Sequence, residues 1–200
     1  MTLSEHMRAK ILGALETIPA DDRAHVYVVS LYVSDIDDDP RRPTIQVGYN
    51  TEHQVAACTP AEGRKPKWPV ASDAAEARWN YAFWLQNSLT VIGDEDTDRV
   101  GADAREAWAK QRGFWYSDKE EEHDLAAALE KAEPMTYEFV AMAVEVVRDL
   151  HRTGEVVRLF GRAVPLLIHE LEYYDQIAEQ NESANPPDLV ADFSRWVRGL

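Results

Sequence analysis

Three short stretches hold the residues best equipped for chemistry. The first is "DIDDD", residues 35–39, where Asp35, Asp37 and Asp39 stand at the alternate positions that open a calcium-binding loop. The rest of such a loop is missing. Pro40 stands where the glycine of the sharp turn belongs, and Gln46 where the bidentate glutamate belongs. The stretch therefore reads as a solvated hairpin turn, with Asp37 to Pro40 supplying its turn residues. The second is "HELEYYD", which gathers His169, Glu170, Glu172 and Asp175. Two carboxylates on one strand face can exchange protons as general acid and base, but the second histidine of a zinc-protease motif is absent. The single thiol, Cys58, has no adjacent base and reads as a buried core residue rather than a nucleophile. There is no phosphate loop and no dinucleotide fingerprint, so no cofactor and no metal is expected.

The third stretch, "ARWNYAFWLQN", residues 77–87, is a concentration of rings. Trp79, Tyr81, Phe83 and Leu85 alternate with Arg78, Asn80, Ala82 and Trp84, and period two predicts a strand. That strand would bury Trp79, Tyr81 and Phe83 and turn Trp84 to the opposite face, beside Arg78. The chain has six tryptophans (Trp68, Trp79, Trp84, Trp108, Trp115 and Trp196), a residue type that buries large area and is enriched at binding hot spots. Asn50 and Glu52 follow a predicted strand. With Arg78 and Trp84 they make a candidate binding cleft, Glu52 meeting Arg78 at its mouth.

The elements that must position these residues are legible as periodicities. Apolar spacing predicts a helix from Ser4 to Ile18, with Ser4 as its cap. "HVYVVSLYVSD" predicts a central strand, His25 to Ser34, and "TIQVGYN" a second, Thr44 to Asn50, forming a hairpin. A short helix follows Asn50, then a loop with proline and lysine to Pro69, then a helix capped by Ser72 or Asp73. From Asp96 onward the chain reads as helical, with a Ser117/Glu120 capping box and a long helix running from Pro134 to Gly154. Pro165 restricts Val164 to Leu171 to an edge strand. A short helix to Gln180 and a last one begun by the prolines of "NPPDLVADFSRWV" complete the order. The fold class is α+β: a single domain over residues 1–200, with a small, mostly antiparallel sheet of three to four strands packed against several helices.

Charge narrows the function classes. Asp and Glu number 36 against 21 Lys and Arg, a net charge of −15. Nucleic acid and anionic membranes require cationic surfaces and are disfavoured as partners. A basic protein suits the field, with "GDEDTD" and "DKEEEHD" expected to present the free carboxylates. One cysteine excludes an internal disulfide, and no apolar run is long enough to span a bilayer, so the chain reads as soluble and cytoplasmic.

Three places carry a family likeness: "YNTE" with Asn50-Thr51-Glu52, the pair Arg78-Trp79 followed five residues later by Trp84, and "NPPDLVADF". On these the chain resembles the bacterial family known as domain of unknown function forty-three oh three, and the likeness spans most of the sequence. The family usually has an acidic residue just before the second tryptophan. Phe83 stands there, which removes any acid–base role for that position. The resemblance implies an α+β fold and no activity. The functional expectation is an acidic protein-interaction module, by analogy an immunity-type inhibitor of a basic toxin. The alternative is an enzyme or small-ligand binder using Asn50, Glu52, Arg78 and Trp84.

Overall fold

A computed structural model describes residues 1–61 and 69–200. Trp68 and most of the loop expected before Pro69 lie outside the described residues. Helix α1 spans Leu3–Glu16 and is capped by Thr2, in a capping box with Glu5, two residues ahead of the expected Ser4. A short turn of helix, α2 (Ala20–Arg23), leads into β1 (Val26–Asp35). The hairpin returns as β2 (Pro43–Thr51), and Thr51 caps α3 (Glu52–Cys58). Next come α4 (Ala74–Trp79), a 3₁₀ turn (Tyr81–Phe83) and β3 (Thr90–Ile92). A helical run follows: α5 (Arg99–Arg112), α6 (Asp118–His123), α7 (Leu125–Ala132), α8 (Met135–Arg152) and α9 (Glu155–Phe160). The chain ends with β4 (Leu166–His169), α10 (Asp175–Ala184) and α11 (Pro187–Val197).

The sheet order is β3-β2-β1-β4, antiparallel except for β4, which runs parallel to β1. The expected α+β class and mostly antiparallel sheet are observed. β1 is apolar on both faces because both are covered. Val29, Leu31 and Val33 join Ile45, Val47 and Leu166 on one face, under α1, α8 and α9. A bulge between Val26 and Val28 puts Tyr27 and Val28 together in the second cluster, under α4, the 3₁₀ turn and α11. By the strand period this second face also carries Ser30, Gln46, Gly48, Asn50 and His169, so it is the polar side of the sheet.

The strand expected over Arg78–Leu85 does not form. Asp73 accepts a hydrogen bond from the Glu76 amide and starts a helix through Trp79. The Asn80 side chain then accepts from the Ala82 amide and starts the 3₁₀ turn. A helix end followed by a tight turn buries Trp79, Tyr81 and Trp84 together, and the sequence imitates period two. Trp84 therefore joins the buried cluster rather than facing away, and Phe83 is the partly exposed ring. The edge of β2 is taken instead by the three residues of β3.

Both long edges of the sheet are finished by side-chain amides. On β4, Asn181 Oδ1 accepts from the Ile168 amide (2.8 Å) while Asn181 Nδ2 donates to the Ile168 carbonyl (2.7 Å). One turn later, Asn185 does the same for Leu166, at 2.8 and 3.0 Å. On β2, beyond the reach of β3, Asn87 accepts from the Tyr49 amide (2.9 Å) and donates to its carbonyl (3.1 Å). Each amide stands in for the missing strand, at buried positions on β4 and a part-buried one on β2, where an unpaired group is costly. Gly48 makes the approach of Asn87 feasible, since a Cβ there would sit 2.6 Å from the Asn87 carbonyl oxygen. Replacing Asn181 with Ala is expected to lower the unfolding free energy by on the order of 2–3 kcal/mol in urea titration, because the Ile168 amide is left buried without an acceptor. The Ile168 carbonyl keeps Gln180 as a donor, so its pairing survives the change.

Candidate functional site

The four residues expected to line a cleft do come together. Asn50 ends β2, Glu52 opens α3, Arg78 lies near the end of α4, and Trp84 follows the 3₁₀ turn. Glu52 and Arg78 make a two-pronged ion pair at 2.8 and 2.9 Å. The Arg78 guanidinium lies 4.3 Å from the Tyr27 ring centroid and holds the Glu52 carboxyl below the usual range. The Arg78 carbonyl accepts from the Trp84 indole at 2.9 Å and from the Tyr27 hydroxyl. Asn50 donates to the Tyr27 oxygen (3.0 Å) and accepts from the Leu85 amide (3.3 Å). Burial pushes the Tyr27 hydroxyl pKa up, keeping it a donor. Asn50 and Trp84 are thus buried braces tying the aromatic segment to β2. Only Glu52 and Arg78 reach solvent, and Arg78 borders a shallow hollow of about 440 Å³ with Trp79, Arg195 and Trp196.

The histidine flagged in "HELEYYD" sits at the end of β4 and is fully buried. Its ring nitrogens have fixed roles. The Glu170 carbonyl, 2.9 Å from Nδ1, can only accept, so Nδ1 carries the proton. Nε2 then accepts from the Ser30 hydroxyl at 2.8 Å. Tyr81, Trp84, Tyr32 and Tyr173 surround the imidazole, with ring centroids 4.8 to 5.8 Å away. Burial lowers the His169 pKa to about 4, opposed by the Glu170 carbonyl. The donor order is that of a serine activated by a base. Yet the base is weak and the space beside Ser30, bounded by Tyr81, Trp84 and Asn87, is too small for a water molecule. The pair works as a pin through β1, β4 and the aromatic segment. Cys58 is likewise buried, its thiol pushed up by burial and placed against the Phe83 carbonyl.

At the carboxyl ends of the parallel strands β1 and β4 the surface opens into a hollow of about 350 Å³, lined by Tyr32, Asp35, Asp38, Thr136, Glu170 and Leu171. Thr136 Oγ1 lies 3.4 Å from both Asp35 oxygens. Burial, helped by Glu170 and Asp39, raises the Asp35 pKa. Two of its neighbours in "DIDDD" are neutralised elsewhere. Asp37 pairs with Arg42 and Asp39 with Arg41, each at 2.7 Å. Asp37 and Asp38 turn the chain with positive φ of 58° and 57°. Among the described residues no three His, Cys, Asp or Glu side chains are grouped to hold a metal ion.

The acidic stretches expected to face a partner are mostly occupied at home. Asp94 closes a turn onto the Thr97 amide, Glu95 pairs with Arg42 and Arg105, and Asp98 is buried against His6 at 2.8 Å. Asp118 and Glu121 pair with Arg41, and Glu120 is held by Ser117 and Lys131, its pKa lowered to about 2. Charge balance is not readable from a charge run, since Arg41 and Arg42 reach these stretches from distant sequence. By contrast Asp35, Asp38, Glu170, Glu172, Asp175 and Glu179 have no cationic side chain within 4 Å among the described residues.

No family model, no curated protein and no solved structure matches the chain. Among the described residues no helix is long and apolar enough to cross a membrane.

The His169 geometry sets a pH dependence. Unfolded histidine takes a proton near its ordinary 6.5, while the folded ring does so only near about 4. Between these values the unfolded state binds more protons, so stability falls as pH falls, by on the order of 3 kcal/mol from this group. His169→Gln is expected to be less stable than the parent at neutral pH. The gap between their urea midpoints should narrow as the pH drops from 6.5 towards 4.

Proposed function

We propose that the chain is an acidic, non-catalytic, cytoplasmic interaction module for a basic protein, of the kind an immunity-type inhibitor of a basic toxin represents. One observation carries the reading. Asp35, Asp38 and Glu170 line one hollow, and none of them has an ion-pair partner among the described residues, although most carboxylates of the neighbouring hairpin turn and of α6 do. Asp35 is raised in pKa by its burial and by Glu170, so its ionised form is held at a cost that an incoming guanidinium or ammonium would relieve. The net charge of −15 adds a long-range field that speeds encounter with a cation-rich surface.

The reading separates binding from stability. A raised carboxyl pKa favours the protonated fold, so the contribution of Asp35 to stability is present below the unfolded pKa and lost as pH rises through the folded one. At neutral pH the double variant Asp35→Asn/Glu170→Gln should therefore melt no lower than the parent. Its association with a captured basic partner should slow several-fold, and the parent's association should slow as ionic strength rises. Capture of a neutral or acidic partner, or rates insensitive to both salt and substitution, would sink the proposal.

A further inference from the structure

α8 carries a second apolar stripe, of which Val140 and Val144 are buried with the sheet core while Tyr137 and Ala141 stay exposed. Phe139, Ala143, Val146, Val147 and Leu150 face the sheet core. Tyr137, Val140, Ala141 and Val144 recur at i, i+3, i+4 and i+7 along the side facing α10, where they floor a groove of about 310 Å³. Val140 and Val144 form the bottom, Ala141 is open to solvent, and Tyr137 is 62% exposed. Leu171 at 69% and Tyr174 at 44% are exposed on the segment between β4 and α10, the Tyr174 hydroxyl donating to Glu170 at 3.1 Å. The groove adjoins the acidic hollow, since the consecutive residues Thr136 and Tyr137 line the one and the other.

From this geometry we infer that the α8/α10 groove is the seat of an amphipathic helix that carries lysine or arginine beside its apolar stripe, supplied by another protein. The inference rests on the proposed function and adds the surface and the form of the partner. A stripe at i, i+3, i+4 and i+7 with an apolar floor and polar rims is the complement of a helix lying in a groove. Charge decides what that helix bears. The rims hold Glu145 and Glu179, and Glu172 and Asp175 lie just before and at the start of α10, none of the last three paired with a cation among the described residues. The one cation of the groove, Arg148, is occupied by Glu145 at 2.5 Å and by the Ser183 carbonyl at 3.0 Å. A second copy of the chain would bring −15 against −15, so a like partner is opposed by the same field that favours a basic one.

The test uses the whole chain and two synthetic peptides of about 18 residues, roughly five helical turns. One has leucine and lysine in an amphipathic helical pattern, and the other has the same composition with the pattern scrambled. The patterned peptide should bind at least tenfold more tightly, with backbone amide NMR shifts centred on Tyr137, Val140, Val144 and Glu179. Ala141→Arg, at an exposed position, fills the groove and offsets its negative charge. It should cut that affinity at least tenfold while melting like the parent. Glu179→Gln should weaken binding two- to fivefold and flatten its salt dependence. Equal binding of both peptides, with shifts spread over the acidic hollow, would overturn the groove and leave the acidic-module reading standing. Binding of neither peptide at low salt would overturn both. A dimer of the chain alone that Ala141→Arg dissolves would assign the groove to self-association and overturn the inference.

Discussion

A small sheet inside a helical protein must dispose of the backbone groups along its outer strands, and here three asparagines do so. Asn181 and Asn185 close the free side of β4 and Asn87 closes the part of β2 that β3 does not reach. A primary amide sets an acceptor beside a donor in one plane, and so can meet the N–H and C=O of one strand residue as a neighbouring strand would. Much else follows from that. α10 is fixed in register with β4 because its two asparagines, four apart, match residues two apart on a strand. The segment after the 3₁₀ turn is fixed against β2 by Asn87, and with it Tyr81 and Trp84 over Ser30 and His169. Glu170 and Leu171, after β4, line one candidate surface, and Gln176 and Glu179, on α10, line the other, so these bonds set the two relative to each other.

The second face of the sheet shows how much polarity a core accepts when every group is spoken for. Asn50, Tyr27, Trp84 and the Arg78 carbonyl form one network, and Ser30, His169 and the Glu170 carbonyl another. Removing one member of such a set leaves its neighbour unsatisfied, which costs more than the bond itself contributed. The residues that looked most like a binding site in the sequence are the ones consumed by this internal bonding. Polar and aromatic residue types in proximity signal a demanding environment, and a buried network makes that demand as readily as a ligand does.

What could be read in the sequence were features with local causes. The helices announced themselves by caps and 3.6-residue spacing, the β1–β2 hairpin by alternation around an aspartate-rich turn, and the α6 capping box by Ser117 and Glu120. The meeting of Asn50, Glu52, Arg78 and Trp84 was also anticipated, although as a cleft rather than a brace. The misreading of Arg78–Leu85 arose because two caps, Asp73 and Asn80, act within eight residues, and a helix end plus a turn then mimics alternation. β3 has three residues, too few for any period, and α9 two turns at most. The free carboxylates around β4 could not be told from the paired ones, because Arg41 and Arg42 also reach carboxylates across the fold, at Asp118 and Glu95. The i, i+4 asparagines on the buried side of α10 were a readable signal of a strand edge nearby.

The parallel pairing of β4 with β1 has a consequence for how the chain assembles. Val29 and Leu166 are neighbours in the sheet yet more than a hundred residues apart in sequence. On a ribosome the β1–β2 hairpin is complete early, and one long side of β1, rich in valine and aromatic residues, stays open until most of the polypeptide has been made. Non-local pairing of this kind is slow, and an open apolar strand is a template for the wrong neighbour while it waits. β4 and the asparagines that seal it lie within twenty residues of each other, so the missing strand and its cover emerge almost together. The interval before that moment is when the nascent chain is most exposed to aggregation, and when a chaperone would have the most to protect.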